Sequence, residues 1–189
     1  MSIVICPGIH APELTQELLE GLESLSSNSS KFSTGNILVV PAQDYATLSA
    51  FHILQFLQAN QGRPPESPIV FISFSAGVVG AIGAAWGWQI LGGKVKALIA
   101  VDGWGVPLFG NFPLHRLSHD YFTHWSSASL GSGQDSFYAD PPVEHLELWR
   151  SPQTVGGWWV NSDGGTQSRT YLTAAQFLTM LLKRYGELE

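Results

Sequence analysis

Pro68-Ile69-Val70-Phe71-Ile72-Ser73-Phe74-Ser75-Ala76-Gly77-Val78-Val79-Gly80-Ala81 is the stretch that decides the fold. Its first half is a short apolar run rich in β-branched residues and reads as a buried strand. Its second half, small and apolar, reads as a helix. Between them stands Ser75 with small neighbours. A serine alcohol is a poor nucleophile. A sharp strand-to-helix turn can expose its oxygen to a base and surround the resulting oxyanion with backbone N–H groups. The same serine could cap the helix instead, because Ser is an ordinary N-cap residue. The sequence leaves both roles open.

Outward from this stretch, similar apolar runs occur at 3–6, 37–40 and 97–101, separated by segments with helical spacing. Leu14, Leu18, Leu22 and Leu25 mark an amphipathic helix over 13–25, and Leu48, Phe51, Leu54 and Leu57 mark another over 46–58. Alternating strands and helices predict a three-layer α/β/α fold with a mainly parallel sheet and right-handed crossovers. Ligands on such sheets bind at the carboxyl ends of the strands. Segment 103–142 breaks the rhythm with Gly, Pro, Ser and eight aromatic residues, so it reads as a cap-like excursion holding one short helix near 114–125. A fifth strand is expected over 143–149, a sixth over 157–161 and a terminal helix over 173–185. The sheet then has about six strands in a single domain, 1–189.

Composition narrows the function. With 189 residues, 44% of them hydrophobic, the chain can bury one sizeable core. Only 13% of residues are charged, against a usual ~25%, while seven tryptophans and ten phenylalanines suggest a thick interior or a large apolar cleft. A net charge of −6 with nine Lys plus Arg supplies no basic footprint for nucleic acid or for an anionic membrane. The lone Cys6 can form no intramolecular disulfide, which suits a reducing cytoplasm. The N-terminus has no basic start, and no apolar run reaches the ~18 residues of a membrane span. A soluble, cytoplasmic protein is expected.

Ser73-Phe74-Ser75-Ala76-Gly77, placed after the third strand, resembles the G-x-S-x-G nucleophile elbow of the α/β-hydrolase family, with Ser73 in place of the first glycine. The strand–helix order resembles a compact member lacking the early edge strands. The resemblance implies a serine, acid, histidine triad in that chain order and a two-amide oxyanion hole. Ser75 then matches the nucleophile and Ala76 the first oxyanion donor. Pro7-Gly8-Ile9-His10 matches the loop after the first strand, making Ile9 the second donor and placing His10 at the border. Asp102, ending the fourth strand, matches the acid, although it could simply cap a turn with Gly103. The family histidine belongs between the last strand and the terminal helix, where this chain has Asn161-Ser162-Asp163-Gly164-Gly165. The expected base is therefore His119 or His124, from the excursion, and Asp163 is a second candidate acid. His145 is set aside because the strand expected over 143–149 puts it at the amino edge of the sheet.

Two rival chemistries are weaker. His115 and His119, four apart, would share a helix face near Asp120 and His124 and could hold a metal, but no H-E-x-x-H pattern is present. Gly77, Gly80 and Gly83 are spaced three and three, unlike a dinucleotide-binding turn. The expectation is a cofactor-free and metal-free serine esterase acting on a small apolar acyl substrate. The alternative is a hydrolase-shaped protein without catalysis that binds a hydrophobic ligand or a protein partner.

Overall fold

Four apolar runs become strands where the sequence placed them: β1 (Ser2–Cys6), β2 (Ile37–Val39), β3 (Ile69–Phe74) and β4 (Val95–Val101). The computed structural model describes residues 2–26, 37–61, 67–131, 133–161 and 168–186. Every residue of β1 and β3 is buried, as continuous apolar strands require when both faces of a parallel sheet are covered. Helices α1 (Pro12–Ser26), α2 (Ala50–Gln61) and α3 (Gly77–Ile90) form the crossovers.

The sheet is longer than expected, with eight strands in the order β2-β1-β3-β4-β5-β6-β7-β8. Segment 103–142 is not simply a cap. It contributes β5 (Leu114–Ser118), α4 (Tyr121–Ala128) and β6 (Asp135–Ala139), and both strands continue the sheet in parallel. The helix expected near 114–125 therefore begins only at Tyr121, and His115 and His119 do not share a helix face. The strand expected over 143–149 is instead the short helix α5 (His145–Arg150). β7 (Gly156–Asn161) is the strand read at 157–161, but it pairs antiparallel with β6 and with β8 (Ser168–Thr173). The terminal helix α6 (Ala174–Arg184) starts in a capping box, with the Gln176 N–H donating to Thr173 Oγ1 and the Thr173 N–H to Gln176 Oε1.

Helices cover both faces of the sheet. On one, Leu18 and Leu22 of α1, Leu148 and Trp149 of α5, and Phe177, Leu178, Leu181 and Leu182 of α6 join Ile5, Ile72, Phe74 and Ile99. On the other, Ile53 and Leu57 of α2 and Val78, Ala81 and Trp88 of α3 pack on Val4, Phe71 and Leu98. Burying each large apolar side chain stabilises the fold by about 1.5–3 kcal/mol before entropy is counted. Among the described residues no helix is long and apolar enough to cross a membrane.

Two buried polar residues explain why β5 escaped a reading by hydropathy. Arg116 is buried, and its guanidinium donates to the carbonyls of Gly103, Val106, Leu130 and Gly131. Burial pulls its pKa down to about 10. His115 is fully buried near the amino edge, with Nδ1 turned to the Asp135 carboxylate at 3.6 Å and Nε2 hydrogen-bonded to the Tyr185 hydroxyl at 2.6 Å. Asp135 also pairs with Arg184 and accepts from Trp159 Nε1 at 2.8 Å.

Desolvation outweighs the Asp135 charge and pulls the His115 pKa down to about 4. Because the folded value lies below the unfolded value of about 6.5, the unfolded chain takes up the proton first as pH falls. The contribution is intact above pH ~6.5 and is lost between that value and ~4. Urea unfolding at pH 7 and at pH 5 should show the wild type losing about 2 kcal/mol more than His115→Gln, which keeps a polar group without the titration. Equal losses would mean that His115 does not titrate with unfolding.

Candidate functional site

Ser75 occupies a strained turn. It has φ of 51°, in the left-handed region that residues with a Cβ avoid, and it directly follows β3. Its N–H still donates to Val101 O at 2.8 Å, so the β3–β4 ladder runs up to the turn. The helix cap is Ala76, with no side-chain capping bond, so Ser75 is not spent as a cap. Its hydroxyl lies 3.0 Å from His145 Nε2.

Asp102 repeats this geometry one strand over. It follows β4, also has φ of 51°, and its N–H donates to Leu117 O at 2.8 Å. The carboxylate is buried. Oδ2 accepts from His145 Nδ1 and from His119 Nδ1, each at 2.8 Å, and Oδ1 accepts from the His119 backbone N–H at 2.9 Å. Burial alone would raise the Asp102 pKa, but the donors from His119 and His145 outweigh it and hold the group below the usual carboxylate value. Its role is therefore not a turn cap with Gly103. In a neutral imidazole, an Nδ1–H facing a carboxylate leaves Nε2 as an acceptor for the Ser75 hydroxyl.

The orientation of His145 is set by stacking. Phe74, the last residue of β3, lies between two rings: His145 at 4.7 Å and 22°, and Trp149 at 4.8 Å and 17°. His145 and Trp149 stand four apart on α5 and so share one helix face. Trp149 is anchored to α1 through Nε1, which donates to Thr15 Oγ1 at 3.3 Å.

The loop after β1 lies against the serine. A Cβ on Gly8 would stand 3.0 Å from Phe74 Cδ1, 3.1 Å from Ser75 Cβ and 3.2 Å from Phe74 O, so a larger residue there would press on the serine turn. The buried Thr47 hydroxyl donates to Pro7 O at 2.5 Å and fixes the loop from the other side. Ile9 is exposed beside it, and Ala76 heads α3 immediately after Ser75.

No family model matches the chain, and no curated protein matches it significantly. The roles of these residues must therefore be argued from their geometry. Of the residues singled out by sequence, the structure gathers Ser75, Ala76, Asp102 and His119 around one cleft of about 500 Å³. His119 contacts Asp102 and makes no hydrogen bond to Ser75. His124 lies away from the cleft, its ring 5.0 Å from that of Tyr138, and desolvation followed by the Arg169 charge lowers its pKa. His10 packs on Phe74 and Trp149, and its Nδ1 bonds Ala11 O at 2.8 Å. It also borders a second cavity of about 490 Å³ between α1 and β2, whose lining does not include Ser75. Asp163 lies outside the described residues.

His145 is the residue that sequence reading set aside. It follows β6, the last parallel strand, and so reaches the same carboxyl edge as Ser75 and Asp102. A signal was present. Pro141-Pro142 cannot continue a central strand, and His145, Leu148 and Trp149 recur at helical spacing directly after them.

Asp102, His119 and His145 hold ligand-capable atoms within 4.8 Å of one another. Two Nδ1–H groups donating to one carboxylate oxygen account for that closeness with protons alone. The earlier metal grouping is dispersed, since His115 lies at the opposite edge of the sheet, against Tyr185.

The strain at Ser75 is measurable without any assay of function. Ser75→Gly should be more stable than Ser75→Ala by about 1 kcal/mol, because only alanine keeps a Cβ at positive φ. Thermal and urea unfolding of the two variants will show this. An alanine variant as stable as the glycine variant would mean that the turn carries no strain.

Proposed function

We propose that this protein is a serine hydrolase that cleaves an ester or related acyl bond of a small apolar molecule, in a compact α/β-hydrolase-like arrangement. One observation carries the reading: the continuous path from Ser75 Oγ to His145 Nε2 at 3.0 Å and from His145 Nδ1 to Asp102 Oδ2 at 2.8 Å. Nucleophile, base and orienting acid occur in the chain order serine, aspartate, histidine. The base differs from the sequence expectation of His119 or His124. The histidine also follows the sixth strand rather than the last, a departure from the family pattern.

In this reading His145 takes the Ser75 proton as the oxygen attacks the acyl carbon, and Asp102 stabilises the imidazolium that forms. The tetrahedral oxyanion is held by the Ala76 and Ile9 amides, with the positive end of α3 adding to them. His145 then protonates the departing alcohol, leaving an acyl-Ser75 ester, and a water activated by the same imidazole releases the acid. Val79, Trp104, Val106 and Phe122 line the cleft and favour an apolar acyl or alcohol group. No step calls for a cofactor or a metal, and the lone buried Cys6 suits a reducing cytoplasm. The alternative, a non-catalytic binder, drew its support from the histidine missing at the family position. The imidazole that His145 brings within 3.0 Å of Ser75 favours the catalytic reading.

A fluorophosphonate probe should label the wild type and leave Ser75→Ala unlabelled. His145→Ala should lose turnover by about three powers of ten or more with little change in melting temperature. Labelling at another serine, or none in folded protein, would overturn the reading.

Turnover of nitrophenyl esters should rise from acetate to medium chains, since each buried methylene is worth up to ~0.8 kcal/mol. A consistent preference for acetate would show that the aromatic wall does not receive the acyl chain.

A further inference from the structure

His119 is bonded to the acid more extensively than His145 is, yet it makes no hydrogen bond to Ser75. Its backbone N–H and its Nδ1–H both donate to Asp102, at 2.9 and 2.8 Å, one to each carboxylate oxygen. Its own carbonyl accepts the Val143 N–H at 3.0 Å, two residues before His145. The residue thus ties the end of β4 to the segment that delivers α5. Its ring stands edge-on to that of His145, with centroids 6.0 Å apart, and it is partly open to the cleft.

We infer that His119 is a positioning residue: it fixes the Asp102 carboxylate and, through its own proton, sets how much of that charge is left for His145. Two imidazoles compete for one oxygen. While His119 is neutral, it orients Asp102 as a simple donor. When His119 is protonated, its charge neutralises Asp102 and opposes a second positive charge on His145, which acyl transfer requires.

The groups facing His119 are Asp102 from β4, Asp120 at the head of α4 with Oδ2 3.8 Å from Nε2, Glu144 ahead of α5, and His145. The Asp102 hydrogen bond, opposed by desolvation and aided by the three carboxylates, raises His119 above the usual histidine range. The proton that attenuates the site is therefore held more tightly than on an isolated imidazole, and it is released as pH rises. Because both rings bond the same carboxylate oxygen, the acid limb of activity belongs to the cluster and not to one ring.

The catalytic half of this inference rests on the serine-hydrolase reading; the electrostatic half does not. Two variants separate the roles, because Asn can place an amide N–H where Nδ1–H stands, without titrating. His119→Leu should lower kcat by about tenfold or more with KM within about twofold. His119→Asn should recover most of that loss at alkaline pH and move the acid limb to lower pH by about half a unit or more. Imidazole nitrogen NMR of His145 supplies a readout that needs no substrate. In the wild type the His145 signals should shift in step with His119 protonation, and in His119→Asn that step should vanish. Independent titration of the two rings, or one pH profile shared by all three proteins, would overturn the inference even if the enzyme is active. Coupled titration without hydrolysis or probe labelling would instead sink the serine-hydrolase reading and leave the coupling standing.

Discussion

The register of three neighbouring parallel strands is the constraint on which the site depends. Phe74 pairs with Val101 and Val101 with Leu117, so β3, β4 and β5 end in one rank. The N–H groups of Ser75 and Asp102 then make the last rungs of their ladders before each residue turns to φ of 51°. The Ser75 hydroxyl and the Asp102 carboxylate arrive side by side because hydrogen bonds several residues earlier put them there. A slip of one residue would reverse the faces of the apolar side chains and send both groups elsewhere. Preorganisation of this kind is carried by the sheet, with the loops adding the finishing contacts.

How much of this was legible depended on where polar residues are buried. β1, β3 and β4 are runs of apolar residues, and α1, α2 and α6 have leucines at helical spacing, so hydrophobic pattern alone located them. Ser75 and Asp102 stand directly after such runs, and their place at the carboxyl edge followed. β5 reads Leu-His-Arg-Leu-Ser and β6 opens on Asp135, so the same pattern took them for part of a cap-like excursion with one short helix. Both are buried because tertiary partners compensate them: four carbonyls for Arg116, and Arg184 with Trp159 for Asp135. Those partners are distant in sequence and leave no local trace. Missing β6 then moved the expected strand to 143–149 and cost the reading His145.

The two edges of the sheet use the same pair of residue types differently. At the amino edge His115 and Asp135 are sealed beneath Arg184 and Tyr185, and burial keeps the imidazole neutral. At the carboxyl edge Asp102 is equally buried, but both imidazoles that reach it border a cleft. The first arrangement suits a strut, because the fully buried imidazole meets only protein partners, Tyr185 and Asp135. The second has the same pattern of carboxylate, imidazole and hydroxyl, but its hydroxyl and both imidazoles line a cleft that a small molecule can enter. Access, more than residue identity, separates the two.

Arg116 reaches its partners through main-chain oxygens at positions 103, 106, 130 and 131. Every amino acid carries that oxygen. The course of the segment bearing Trp104 and Val106 is therefore held by a grip indifferent to what those side chains are. Scaffold and selectivity are thereby written in separate alphabets, backbone for the one and side chain for the other. The side chains that line the cleft are free to drift by single substitutions while the loop keeps its path.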